Sequence, residues 1–187
     1  MKKFALLFLL VSLLPGCVVP VIVGAATAGG AVIYDKRDFK TMGQDQQAYQ
    51  NAQELLDYNK DLKNAHIVVA VFYNTALLVG QTPTPAQRQE AYDIVSKVPN
   101  IKRIYNEITI SGPTTMMQRS SDSWVTTKVR TALLAKPGLS SNNIKILTEN
   151  GVVYLMGKTG RSEAELAADA ARRVTGVQKV VKVFIYD

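Results

Sequence analysis

The sequence predicts an α+β fold made of two tandem small αββαβ domains, each a three-stranded mixed sheet covered by two helices. Three observations carry that prediction. The first is an internal repeat: Ile67, Val69 and Val71 align with Ile144, Ile146 and Thr148 at an offset of 77, as do Leu77-Leu78-Val79-Gly80 with Tyr154-Leu155-Met156-Gly157. Ala91, Ile94, Val95 and Val98 then align with Ala167, Ala170, Ala171 and Val174 at 76, and Ile101 and Ile104 with Val177 and Val180, also at 76. One loop residue is extra in the first copy, between Gly80 and Ala91. A register held across three elements marks a duplication. The second observation is that apolar periodicity switches between the helical and the strand spacing inside each copy. The third is that turn and capping residues fall at the switches.

Residues 1–16 read as a signal peptide. Lys2 and Lys3 form its basic start, and Phe4 to Leu14, broken only by Ser12, its apolar core. Leu14-Pro15-Gly16-Cys17 resembles the lipobox of bacterial lipoproteins, departing from it at Pro15, where a small residue is usual. The resemblance implies lipidation of Cys17: a diacylated thiol, cleavage before the cysteine, and a fatty acyl chain (palmitate) on the new amine. An uncleaved signal anchor is the alternative. Because Val18 stands where such lipoproteins carry an aspartate for inner-membrane retention, the resemblance further implies sorting to the outer membrane, in the inner leaflet and facing the periplasm. Cys17 is the only cysteine, so the chain closes no internal disulfide. Residues 17–43 read as the lipidated cysteine and a tether. Its apolar stretch Val18 to Ile33, 16 residues, is shorter than the roughly 20 of a spanning helix.

The first domain is expected over residues 44–112. Its opening helix, Gln44 to Asn59, places Ala48, Ala52, Leu55 and Leu56 on the core, with Gln50, Gln53, Glu54 and Asp57 opposite. Two strands follow around Ile67–Val71 and Leu77–Gly80, joined at Asn74, which tolerates the left-handed conformation. Thr84-Pro85 opens the second helix, with Gln87 at the capping-box position and proline at N1. Residues 113–120 read as a linker, with Met116 and Met117 as interface packing.

The second domain is expected over 121–187. Ser121 to Ala135 carries Val125, Val129, Ala132 and Leu133 on one helical face. Asn142 to Thr148 alternates, Asn150-Gly151 signals a hairpin, and Val152 to Met156 is a short buried run. Ser162 with Glu165 suggests a capping box before the next helix, and Gln178 to Tyr186 is the last strand. Two units of about 70 residues are each marginal, so docking against each other would help both.

Charge is distributed unevenly. From Cys17 to Gly112 there are nine basic and nine acidic side chains; from Pro113 onward there are eleven and six. The surplus of the second half points to an anionic partner, and in the periplasm that means lipid headgroups, with no role for nucleic acid. Catalytic chemistry finds no constellation. His66 is the only histidine, so neither a transition-metal cluster nor a Ser-His triad assembles, and no cofactor is expected. Glu107 and Glu149 are acid–base types, but nothing in the sequence brings them into one cleft. Gly157-Lys158-Thr159-Gly160 lacks the earlier glycine of a phosphate loop, since position 152 is valine.

One face carries more apolar surface than its core requires. At about 100° per residue, with Trp124 at 0°, the core stripe of the 121–135 helix centres near about 125° and Leu134 falls at about 280°. Trp124 and Leu134 therefore point away from the core. Thr127 and Thr131 lie between them, and Lys128 and Arg130 flank the face. Apolar anchors bordered by basic residues describe an interfacial membrane contact; packing on the first domain or linker is the other way to cover them. Burial is worth about 1.5–3 kcal/mol for each anchor and a nearby Lys or Arg about 1 kcal/mol at an anionic surface. The lipid anchor supplies a high effective concentration.

Asp122-Ser-Trp-Val-Thr-Thr-Lys-Val-Arg-Thr-Ala-Leu-Leu134 and Thr148-Glu-Asn-Gly-Val-Val-Tyr-Leu-Met-Gly157, with Leu78-Val-Gly-Gln81 and Tyr105-Asn-Glu-Ile108, resemble the BON domain. Two such domains behind a lipobox resemble the DolP family of dual-BON outer-membrane lipoproteins. The resemblance implies recognition of anionic phospholipid such as phosphatidylglycerol, a role in envelope integrity and enrichment at division sites. The residues that would make the contact are Trp124, Thr127, Lys128, Arg130, Thr131 and Leu134. The alternative is a non-catalytic adaptor that uses Trp124 and Leu134 to grip an envelope protein, the outer-membrane β-barrel assembly machinery or a peptidoglycan-remodelling regulator.

Overall fold

The computed structural model describes residues 37–186; Cys17, the signal sequence and the tether to position 36 lie outside them. α1 (Phe39–Asp57) is capped by Asp38, whose side chain accepts from the Thr41 amide. β1 (His66–Phe72) and β2 (Thr75–Thr82) form an antiparallel hairpin. α2 (Pro85–Ser96) returns the chain so that β3 (Arg103–Asn106) and the two-residue β4 (Thr109–Ile110) pair parallel with β2. The third strand is thus interrupted, and the sheet order is β1-β2-β3. The second domain repeats the plan with α3 (Met116–Leu134), β5 (Ile144–Glu149), β6 (Val152–Thr159), α4 (Arg161–Arg172) and β7 (Lys179–Tyr186). Its sheet order is β5-β6-β7, antiparallel then parallel.

The expected α+β architecture is observed. Both hairpins turn through residues with positive φ, Tyr73 (49°) and Asn74 (55°) in the first and Asn150 (49°) and Gly151 (74°) in the second. Such a pair matches the twist of the flanking strands. Thr84 caps α2 by accepting from the Gln87 amide, with Pro85 in the first turn.

Four local expectations are corrected. α1 begins five residues before Gln44, because Asp38 caps it. Leu55 is 51% exposed and not in the core; the buried stripe of α1 is Asp45, Ala48, Ala52 and Leu56. Ser162 does not cap α4, which starts at Arg161 after Gly160 with no side-chain cap; Glu165 instead pairs with Lys182. Met116 and Met117 are not interface packing. Thr115 accepts from the Gln118 amide and starts α3 there, leaving the two methionines 75% and 84% exposed.

Each sheet has two buried faces. On one side, Val69, Val71, Ala76 and Leu78 join Ala52, Leu56, Ala91 and Val95 of the helices. In the second domain Val153, Leu155 and Phe184 join Val125, Val129, Leu133 and the α4 alanines. The alternate residues Ala70, Phe72, Leu77 and Val79 pack against Tyr154, Met156 and Val183 of the other domain. The two sheets therefore meet face to face, with helices outside. Polar links close the seam: Gln81 Nε2 donates to Glu149 Oε1 at 2.8 Å, Thr114 Oγ1 lies 3.3 Å from the same oxygen, and His66 Nε2 lies 3.6 Å from Glu149 Oε2.

Candidate membrane-contact face

Val125, Val129 and Leu133 are buried at 3% exposure or less and fix the inner side of α3. That orientation turns Trp124 (64% exposed) and Leu134 (58% exposed) to solvent. Neither belongs to the apolar cluster between the two sheets. Between them Thr127 and Thr131 are exposed as well.

The hydroxyls on this side are satisfied within the helix. Ser123 Oγ donates to the Arg119 carbonyl at 3.0 Å, Thr127 Oγ1 to Ser123 at 3.1 Å and Thr131 Oγ1 to Thr127 at 3.1 Å. A hydroxyl with its hydrogen bond already made costs less to bring into an apolar boundary. The face thus behaves as less polar than its composition.

Its charges are one-sided. Asp122 is the only carboxylate within Met116–Leu134 and it is buried. Its Oδ2 accepts from the Asn150 amide at 2.8 Å and its Oδ1 from the Gly151 amide at 2.9 Å. Lys128 and Arg130 flank the face at intermediate burial. Lys128 Nζ donates to the Thr175 carbonyl, and Arg130 donates to the carbonyls of Ser141 (3.2 Å) and Ile144 (2.9 Å). Burial lowers the Arg130 pKa from its usual value. Neutral carbonyl partners steady both cations and leave their charge uncancelled.

The corresponding helix of the first domain differs in the charge of its outer face. α1 exposes Glu54 and Asp57 and is repellent to an anionic surface. Its buried carboxylate, Asp45, accepts from the Tyr73 amide at 2.7 Å and the Asn74 amide at 2.8 Å, and Arg37 pairs with it at 2.7 Å. These two hairpin latches were not expected from the sequence, although Asp45 and Asp122 stand at the repeat's own offset of 77.

Elsewhere the acid–base types find other work. Glu149 is buried under Gln81, Thr114 and His66, as described. It and Glu107, together with burial as the larger cause, push the Tyr154 phenol up to about 12. Gly157 and Thr159 lie within β6 and Gly160 caps α4, a strand-to-helix joint. Among the described residues no cluster of three His, Cys, Asp or Glu is placed to hold a metal, and no helix is long and apolar enough to cross a membrane.

Comparison with known proteins adds two findings. The BON domain matches residues 44–112 and again 121–187. The chain is similar to the outer membrane lipoprotein DolP of Haemophilus influenzae, 35% identical over 187 residues, which cover all of this chain and 96% of that one. It is also similar to a 21 kDa hemolysin of Actinobacillus pleuropneumoniae, 38% identical over 124 residues, 66% of this chain and 64% of that one. An uncharacterized protein of Anaplasma centrale is 31% identical over 134 residues, covering 68% of this chain and 88% of that one.

Proposed function

The chain belongs to the DolP family of dual-BON outer-membrane lipoproteins, and from that premise we propose that its second domain docks on anionic phospholipid through the outer face of α3. Trp124 and Leu134 insert at the headgroup boundary, Thr127 and Thr131 lie flat against it, and Lys128 and Arg130 attract phosphatidylglycerol-like headgroups. Acylated Cys17 holds the chain in the inner leaflet of the outer membrane, facing the periplasm, after removal of residues 1–16. Residues 17–43 are the tether, 44–112 and 121–187 the two domains, and 113–120 the junction whose second part opens α3. The protein is non-catalytic and supports envelope integrity, with enrichment at division sites.

The observation that carries this reading is the exposed, acid-free face of α3, whose sole carboxylate is turned inward. An insertion of two anchors and two nearby cations is worth about 5–8 kcal/mol before ordering costs, ample for a domain already tethered at the surface. The test uses the full acylated chain in vesicles. The acyl anchor holds it on neutral and anionic bilayers alike, so only docking of the helix differs. Emission from Trp124, the only tryptophan, should lie further to the blue in phosphatidylglycerol vesicles than in phosphatidylcholine. Leu134→Glu should abolish that difference while changing stability by no more than about 0.5 kcal/mol. The same emission in both vesicles refutes lipid docking.

One observation favours a second, adaptor reading. In the first domain Leu55, Tyr58, Ile94 and Pro99 line a groove of about 580 Å³ between α1 and α2. Its wall carries Glu54 and Lys97 together, and a concave apolar groove with charges of both signs suits a protein partner better than a flat anionic bilayer.

A further inference from the structure

α3 starts with two methionines that the other described residues leave largely uncovered. Met116 is 75% and Met117 84% exposed, whereas Met156 is buried in the sheet–sheet core. Their direction is set by the helix. At about 100° per residue, a step of seven returns a side chain to within about 20° of its line, and a step of eighteen closes five turns. Met117, Trp124 and Thr131 therefore share one line, and Met116 shares that of Leu134. The apolar face that Trp124 and Leu134 define continues two turns toward the start of the helix, to a length of about 26 Å. Arg119 lies with its Nη1 3.9 Å from Met116 Sδ, and the face holds no carboxylate along this extension.

Resting on the lipid-contact reading above, we propose that Met117 is a further inserting residue of this face and makes docking sensitive to peroxide. An unbranched thioether adapts to an irregular apolar boundary. Oxidation changes that. The sulfur attacks one peroxide oxygen, an S–O bond forms as the O–O bond breaks, and the departing oxygen leaves as water after proton transfer. Sulfur loses two electrons and the peroxide gains them. The sulfoxide is polar, and such conversions disrupt methionine-rich contacts. Met117 stands one heptad before Trp124, so its sulfoxide would lift the same line of side chains from the bilayer.

The test again uses the full acylated chain in phosphatidylglycerol-containing vesicles, with hydrogen peroxide dosed until mass spectrometry finds Met117 oxidised. In the wild type, Trp124 emission should return toward its position in phosphatidylcholine vesicles, the ratio of docked to free helix falling about tenfold. Met117→Leu, apolar but not oxidisable, should keep under the same dose whatever emission it shows in those vesicles before peroxide. Met117→Gln should reproduce the oxidised state without peroxide. A Met117→Leu protein that responds to peroxide as the wild type does, or a fully formed Met117 sulfoxide with unchanged emission, overturns the proposal. Emission that never distinguishes anionic from neutral vesicles, before any peroxide, overturns the lipid reading and this proposal with it.

Discussion

Asp45 and Asp122 illustrate how one residue secures a domain. Each leaves its helix on the inner side and accepts both amides of the hairpin turn opposite. Those amides lie in a turn with positive φ, and the carboxylate is their acceptor. Asp122→Ala leaves the buried Gly151 donor and the half-buried Asn150 donor without an acceptor, and we expect a loss of about 1–3 kcal/mol, read as a lower urea midpoint. A change below about 0.5 kcal/mol would show that water replaces the carboxylate without cost. The paired glycines work by absence. A Cβ on Gly80, whose φ is +119°, would stand 2.0 Å from the His66 carbonyl oxygen, and one on Gly157 2.5 Å from that of Asn143. Both kinds of residue were present in the repeat, but only the glycines were matched there. An aspartate inside a helix reads as solvent-facing by composition, and the partners that bury it come from a turn 28 residues on.

α1 and α3 are the same element of one duplicated unit, both 19 residues long, and they differ on the outside. The core side of each follows from the apolar spacing, which is why Ala48, Ala52, Val125, Val129 and Leu133 were legible in the sequence. The starts of the helices were not, because capping by Asp38 and Thr115 extends both beyond their periodic part. Leu55 was misassigned for a related reason: a leucine at the border of a stripe is apolar whether or not a neighbour covers it. On α3 the direction of Trp124 and Leu134 was legible, since a core stripe fixes what lies opposite. The internal bonding of Ser123, Thr127 and Thr131 was not, because hydroxyl rotamers are set by the helix itself. A double substitution Thr127→Glu/Thr131→Glu should test the element as a whole. Both sites are exposed, so stability should stay within about 0.5 kcal/mol per site. Two negative charges at the centre of the contact should remove the blue shift of Trp124 in anionic vesicles. Retained emission would mean that the face does not meet the headgroups.

The two domains form one four-layer body because β2 and β6 are apolar on both sides. Leu78 and Leu155 serve their own domain's helices, while Leu77, Tyr154 and Met156 face the other sheet. A continuous apolar run is what strands buried on both faces carry. Val152 to Met156 announced its burial but not the surface that covers its second face. That surface belongs to the other copy, and the arrangement sets α1 and α3 on outer layers, where the Tyr49 ring of α1 still reaches the seam, 5.9 Å from Lys145 Nζ. Tyr154 makes the docking open to test. Burial first, then Glu107 and Glu149, raises its pKa from 10.0 to about 12, so the folded state favours the neutral phenol. The stability linked to it is complete below pH 10 and is lost as pH rises through about 12, because there the unfolded chain releases the proton more readily. The urea midpoint of the wild type should therefore fall between pH 10 and 12 more steeply than that of Tyr154→Phe, which keeps the ring and has no proton to lose. If wild type and Tyr154→Phe fall in parallel across that window, the phenol does not report on the seam, and alkaline loss of stability must arise elsewhere in the molecule.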